Sequence, residues 1–326
     1  PLKIEAGNTK TYLGRETSGE VVDMASHSGV ISYSATELVI RARAGTKISL
    51  LNNLLAEQHQ RLPFEPPSFA GAATIGGTVA ANQTGASRPW FGGVKDSLLG
   101  LGLINGYGEA MQFGGQVMKN VAGFDVTRLQ CGAMGSLGLI TEVSIKVLPE
   151  FKAGHTLSFE MTAEAALEAM LRWANLSLPI TGMSHMQGIL YVRLQGGESG
   201  VASASQFLGG ATLTPKVAEQ FWQSIREGSA LQPQHDQTLW RWSGSSDRPL
   251  HTLPNTALIN WAGAERWALT QSPNCPADDL IQYQGGDRLA EVYGATSAPQ
   301  QALQQRIKHA FDPHGILNAG RLYSWM

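Results

Sequence analysis

Cysteine is almost missing: the 326 residues hold two, Cys131 and Cys275, far apart and without a pairing rhythm. That excludes a disulfide scaffold and a zinc ribbon, falls short of a four-cysteine iron-sulfur cluster, and fits a reducing compartment, with the cytoplasm as the expected location. Long apolar runs are missing too. None reaches the roughly 18 residues that a membrane helix needs, and the start lacks a basic-then-apolar secretory pattern, so direct membrane insertion is not expected. Charge of one sign is also absent, since 24 basic residues face 26 acidic ones for a net charge of −2. No sequence-wide field draws in nucleic acid. The eight histidines are scattered, without H-x-H or His-x-x-Glu-His spacing, so no metal ligands are assigned. Neither a G-x-G-x-x-G fingerprint between strand and helix nor a phosphate loop ending in Gly-Lys-Ser/Thr occurs, which removes the warrant for a Rossmann or nucleotide-hydrolase fold.

What the chain has in quantity is glycine, 37 residues, gathered in particular stretches. The central one runs from 114 to 149. Gly132, Gly135 and Gly138 recur every third residue, where the lack of a Cβ lets the backbone bend sharply and approach a flat or anionic ligand. From Leu139 the pattern becomes that of a half-buried strand, with Thr141, Val143, Ile145 and Val147 alternating with Glu142, Ser144 and Lys146 up to Pro149. A tight strand connection without a ligand is the plainer alternative.

Taken in order, Leu2 and Ile4 suggest a strand that enters a turn at Gly7 and Asn8. Thr9 and Lys10 add a hydroxyl and a cation, so successive amides there suit a phosphate, or else simply close a hairpin. The chain begins at Pro1 and opens at once into this run, so a leader or first helix is expected to precede it. Further strands are predicted near Val21–Met24, Val30–Ile31 and Leu38–Ala44, followed by a helix from Thr46 that carries Ile48, Leu50, Leu51, Leu54 and Leu55 on or near one face. Between Ala70 and Ala81 side chains nearly vanish, so the run suits backbone packed against backbone or against a large planar ligand, with a tightly packed small-residue helix start as the plainer alternative. The Gly76–Gly77 pair is unfavourable in a plain helix, at about 1 kcal/mol each. Ser97 to Ile104 reads as a buried strand.

After Pro149 the pattern changes to strands near Leu157 and Ile189–Leu194 and helices over 163–175, 201–208 and 218–226, which predicts a small antiparallel sheet backed by helices. Its tryptophans, among them Trp222, Trp261 and Trp267, read as core or interface anchors before substrate platforms. Arg193, Arg241 and Arg288 are each able to pair a carboxylate, although a structural or exposed arginine is the commoner fate. The end of the chain is a helix broken at Asp312–Pro313 and followed by the turn residues Gly315, Asn318 and Gly320.

The small-residue segments 7–11, 70–85 and 132–140, with the closing N-A-G-R at 318–321, resemble the vanillyl-alcohol oxidase and para-cresol methylhydroxylase family. Within it they resemble the FAD-binding subunits of bacterial glycolate oxidases, through P-L-K-I-E-A-G-N-T-K-T-Y-L-G-R, F-G-G-Q-V-M-K-N-V-A-G-F-D-V-T-R-L and F-D-P-H-G-I-L-N-A-G-R-L-Y. The resemblance implies an α+β fold: an FAD-binding domain of the para-cresol methylhydroxylase type over 1–150, a smaller α+β cap over 151–300, and a tail, 301–326, that returns to the FAD-binding domain. It implies FAD as the cofactor, and since no His or Cys is placed for a covalent flavin bond, the FAD is expected to be held non-covalently. The amides of Ala6 to Lys10 (Gly7, Asn8, Thr9, Lys10) and of Ala73, Thr74, Ile75, Gly76 and Gly77 would clasp the pyrophosphate, with Asn82 closing that run. Gly135, Ser136, Gly138 and Ile140 would line the adenine and flavin side, and Asn318 and Arg321 would reach back from the tail.

It further implies oxidation of glycolate or a similar small 2-hydroxy acid, or relay of its electrons, in a complex with a larger flavin subunit and an iron-sulfur subunit, peripheral to the inner membrane through those partners. A scaffold subunit that has lost its flavin, or an oxidoreductase for another small hydroxy acid, are the alternatives. Two features depart from the family: Asn318-Ala319-Gly320 stands where Asn-Pro-Gly is usual, and the paired histidines that hold a metal in larger relatives are missing. No catalytic residue is assigned.

Overall fold

A computed structural model describes residues 1–115, 125–234, 236–253, 255–272 and 280–326. The expectations placed on the V-M-K-N-V-A-G-F-D motif before Asp125, and on Cys275, lie outside the described residues. Two compact units result. The first comprises Pro1–Thr84, Gly92–Glu150 and Asp287–Met326, and the second Gly85–Phe91 and Phe151–Gly286.

In the first unit, β1 (Leu2–Glu5) pairs in parallel with β2 (Glu20–Asp23). β3 (Val30–Ser34), β4 (Val39–Arg43), β6 (Leu98–Ile104), β7 (Ala110–Gly114) and β8 (Leu139–Lys146) form a sheet in the order β3-β4-β8-β6-β7, all antiparallel. The short β5 (Gln60–Arg61) pairs with β9 (Leu148–Pro149), so the chain continues in a further pairing to Pro149. The helices Ile48–Ala56 and Ile75–Ala81 contribute Ile48, Leu51, Leu55, Ile75 and Val79 to one core with Ile40, Leu101, Val143 and Ile145 of the sheet. Strand β8 is central, and Ser144 is buried along with its apolar neighbours, because neighbouring strands flank it on both edges.

The second unit is built on an antiparallel sheet of β10 (Ala153–Glu160), β11 (Ile180–Met186), β12 (Ile189–Gly196), β13 (Ala211–Thr212), β14 (Thr238–Ser243), β15 (Thr256–Asn260), β16 (Glu265–Thr270) and β17 (Leu280–Gln284). Their order is β13-β10-β12-β11-β15-β16-β14-β17. The helices Ala163–Ala174 and Glu198–Leu208 pack Met170, Val201 and Ala204 onto Leu157, Met183, Leu190 and Val192. This α+β pattern matches the predicted fold class, with a larger sheet than the sequence suggested.

The return to the first unit comes at Asp287, ahead of the expected 301. Arg288 explains the position: its guanidinium donates to the carbonyls of Thr11, Leu13 and Gly14, and its own carbonyl accepts from Glu16 N–H. Residues 85–91 belong to the second unit because Trp261 Nε1 donates to Gly85 O at 2.9 Å and Trp90 packs on that unit's core. Among the described residues, no helix is long and apolar enough to cross a membrane.

Candidate functional site

A cavity of about 400 Å³ opens in the first unit between the turn after β1, the helix Ile75–Ala81 and the C-terminal tail. A second, of about 90 Å³, shares Ile4, Glu5, Ala6, Gly77, Ala80, Met134 and Asn318 with it.

The turn supplies amides. Asn8 takes a left-handed φ of 48°, and the N–H groups of Gly7, Asn8 and Thr9 have no hydrogen-bond partner among the described residues. Consecutive free amides bent in this way form a nest that attracts an anion. The turn is braced by its own side chains: Lys3 pairs with Glu5 at 2.6 Å, and Asn8 Nδ2 donates to Glu5 Oε2 at 2.9 Å. Those hydrogen bonds, from Lys3 first and Asn8 second, hold the Glu5 carboxyl below its ordinary range.

The helix supplies a wall without side chains. Thr74 caps it, its Oγ1 accepting from Gly77 N–H. Gly76 and Gly77 stand side by side with different tasks. A Cβ on Gly76 would lie 2.6 Å from Ala44 Cβ, so this glycine lets the helix press against the residue that follows β4. A Cβ on Gly77 would meet only Thr74 Oγ1 within 4 Å, at 3.1 Å, and Gly77 lines both cavities. Ala80 and Ala81 continue that wall.

The tail supplies the closure. Asn318, at a left-handed φ of 41°, accepts from Ile4 N–H through Oδ1 at 2.8 Å and donates through Nδ2 to Met134 O at 2.6 Å. Leu2 N–H donates to Ile316 O and Asn318 N–H to Leu2 O, so the tail runs beside β1 as an extra strand segment. Arg321 donates to the carbonyls of Arg15, Lys10 and Thr11. Burial first, then the nearby Arg288, lowers its pKa. Of the side chains around the larger cavity, Lys3, Lys10, Arg288 and Arg321 are basic and Glu5 and Glu16 acidic, a positive balance that suits an anionic ligand.

The predicted residues therefore separate. Gly7, Asn8, Thr9, Lys10, Thr74, Gly77, Asn318 and Arg321 line the larger cavity, and Gly76, Gly77, Gly135, Gly138, Ile140 and Asn318 the smaller. Ala73, Ile75, Asn82 and Ser136 line neither. Ala73 and Ile75 are core residues, Asn82 ends the helix in a left-handed cap, and Ser136 is buried on Ala133 O. The expected role of four of the five 73–77 amides also changes, Thr74 N–H alone having no hydrogen-bond partner among the described residues. Ala73 N–H is held by Ser68 O, Ile75 N–H by Thr46 O, Gly76 N–H by Ala44 O and Gly77 N–H by Thr74 Oγ1. The Asn318 amide uses one acceptor site on Ile4 N–H and one donor on Met134 O, which leaves one N–H and one lone pair on the side chain. No local spacing in the sequence marks Lys3, Ala80 or Met134 as lining residues, and Arg288 reads there only as a carboxylate partner. Among the described residues no cluster of three or more His, Cys, Asp or Glu is placed to hold a metal.

Residues 1–114 match the model of an FAD binding domain. The chain is 40% identical to the glycolate oxidase subunit GlcE of Escherichia coli strain K12, over 99% of this chain and 93% of that protein. It is 30% identical to the glycolate oxidase subunit GlcD of Bacillus subtilis strain 168, but over 43% of this chain and 30% of that one. Among solved structures, p-cresol methylhydroxylase with substrate bound superposes with a TM-score of 0.72 over 99% of this chain and 84% of its own, at 14% identity, a likeness of fold.

Proposed function

Since the chain belongs to the family of FAD-binding glycolate oxidase subunits, we propose that the cavity beside β1 is where this FAD-dependent oxidoreductase holds its cofactor. The pyrophosphate is received by the Gly7–Thr9 amides, within the positive field of Lys10, Arg288 and Arg321. The observation that carries this reading is the run of free amides at Gly7, Asn8 and Thr9, in a cavity that is also lined by the small residues Gly77, Ala80 and Ala81. When bound, FAD supplies a two-electron acceptor for oxidation of a 2-hydroxy acid. The chain's own part is to bind and orient. Arg321 and Arg288 hold the 10–15 loop by its carbonyls, and Asn318 ties the cavity floor to β1.

Electron transfer onward is assigned to other subunits of the same complex, a larger flavin subunit and an iron-sulfur subunit peripheral to the membrane, because two cysteines do not make a four-cysteine cluster. Binding is non-covalent in this reading. The test is the absorption spectrum of the purified protein before and after acid precipitation. Flavin absorbance that moves wholly to the supernatant supports the reading, and a colourless protein that takes up no added FAD refutes it.

A further inference from the structure

Among the arginines of the second unit, two are committed to main-chain carbonyls. Arg266, fully buried, donates to Gly263 O, Pro249 O, Ser246 O and Arg248 O, and Arg193 donates to Thr181 O. Arg241 is built differently. It stands on β14 opposite Trp267 of β16, and only its Nε is engaged, donating to Glu265 Oε1 at 2.7 Å. Its Nη1 and Nη2 have no hydrogen-bond partner among the described residues.

The surroundings hold that guanidinium in place. Glu265 Oε2 accepts from Asn260 Nδ2 at 3.0 Å, and Asn260 Oδ1 accepts from Ser184 Oγ at 2.8 Å, all three being buried. A polar chain across three strands thus orients one carboxylate, and the carboxylate orients Arg241. The guanidinium carbon lies 5.0 Å from the Trp261 ring centroid and 5.6 Å from that of Trp267, within cation–π range of both. Trp261 is itself in a left-handed conformation (φ 51°), as is Ala262 (φ 54°), an arrangement that persists only where its surroundings over-determine it. Arg88 lies on the Trp261 ring at 4.3 Å, so two cations and one carboxylate gather about this indole. The Arg241 side chain is 21% exposed where Glu265 is 4% exposed, so solvent reaches the arginine while its orienting partner stays dry.

We propose that Arg241 is the carboxylate-recognition group of a small-anion site on this sheet face, taking a 2-hydroxy acid through Nη1 and Nη2 with Trp261 and Trp267 as its apolar walls. The planar, pre-oriented fork matches a carboxylate, and the two indoles favour a ligand of few atoms. The choice of a 2-hydroxy acid rests on the glycolate oxidase reading. The site itself rests on Arg241 and its network, and it gives this subunit direct contact with substrate.

The experiment is calorimetric titration of the full chain with sodium glycolate at constant ionic strength, with flavin content recorded on each sample. Arg241→Gln and Arg241→Lys are each expected to weaken binding by about tenfold or more, the lysine because it keeps the charge against Glu265 and loses the fork. Arg226→Gln, an exposed cation elsewhere in the unit, is expected to leave binding unchanged. In the unmodified chain, glycolate is expected to protect Arg241 from phenylglyoxal, read by peptide mass, which needs no variant to fold. Glycolate affinity in folded Arg241→Lys within about twofold of the parent, a gap far smaller than one charged hydrogen bond produces, overturns the proposal. So does phenylglyoxal modification of Arg241 that glycolate does not slow, or no glycolate binding by the parent chain. Arg241-dependent binding in a protein that takes up no FAD sinks the cofactor reading and keeps this one. Full flavin retention with Arg241-independent glycolate binding does the reverse.

Discussion

Lys308 Nζ lies 2.6 Å from Asp312 Oδ2, one helical turn along, and both residues are buried. The same ammonium donates to Ser136 O at 2.7 Å and Leu317 O at 2.9 Å, while the Asp312 carboxylate accepts from the N–H groups of Ile316 and Leu317. One ion pair with its polar atoms satisfied joins the last helix, the glycine turn before β8 and the tail. The tail is therefore ordered by the protein itself, and the cavity inherits that order through Asn318.

Removing one partner leaves the other charged and buried. Lys308→Met is expected to destabilise the protein by roughly 3–5 kcal/mol. Adding Asp312→Asn to it is expected to cost less than the sum of the two single changes, since they share one network. Denaturant unfolding of the single and double variants measures both. Fully additive effects would show that the pair is not coupled.

Gly77→Leu is expected to lower FAD retention sharply with little change in unfolding midpoint, because its side chain would enter the cavity. Gly76→Val is expected to impair folding, because its Cβ meets Ala44 at 2.6 Å. Flavin absorbance and thermal unfolding of each variant separate the two effects. Normal flavin content in Gly77→Leu would remove the helix wall from the binding site.

Arg321→Ala is expected to weaken FAD binding by loosening the 10–15 loop, whose carbonyls it holds. Arg321→Lys is expected to rescue it poorly, since an ammonium does not span several carbonyls as a guanidinium does. Truncation after His314 removes Asn318 and the main-chain bonds to Leu2, and is expected to destabilise the first unit as well as release flavin. FAD dissociation constants and unfolding curves for the three proteins test this. Unaltered affinity in Arg321→Ala would leave the guanidinium with no part in shaping the turn.

Cys131 packs against the core of the first unit, and burial, with Asp125 next, pushes its thiol up to about 12. The protonated form is thus favoured in the folded state, while the unfolded chain ionises near pH 8.5. Stability from this group is retained below about pH 8.5 and falls by about 1.4 kcal/mol per pH unit above it, until the folded thiol also titrates. In native protein at pH 8, Cys131 is expected to resist iodoacetamide, and Cys131→Ala to lose less stability than the parent between pH 8 and pH 10. Rapid native alkylation at Cys131, read by peptide mass, would contradict the buried thiol.

The sequence by itself determined where the chain is bare of side chains, where strands alternate, that the end breaks at Pro313, and that the whole resembles an FAD-binding glycolate oxidase subunit. These are local patterns, set by residue type and by periods of 2 and 3.6. Only the tertiary structure decided which bare positions face a cavity. Gly76 and Gly77 are identical neighbours in the sequence, yet a Cβ on one would run into Ala44 and a Cβ on the other would meet only Thr74 Oγ1, because adjacent residues on a helix point about 100° apart. Arg241, Arg288 and Arg193 are likewise alike on paper. Carbonyls brought by packing occupy two of them, and the third keeps its terminal nitrogens free. Asn318 and Ile4 meet across 314 positions of sequence. No spacing rule reaches that far, because such partners are chosen by how the sheets, helices and tail pack.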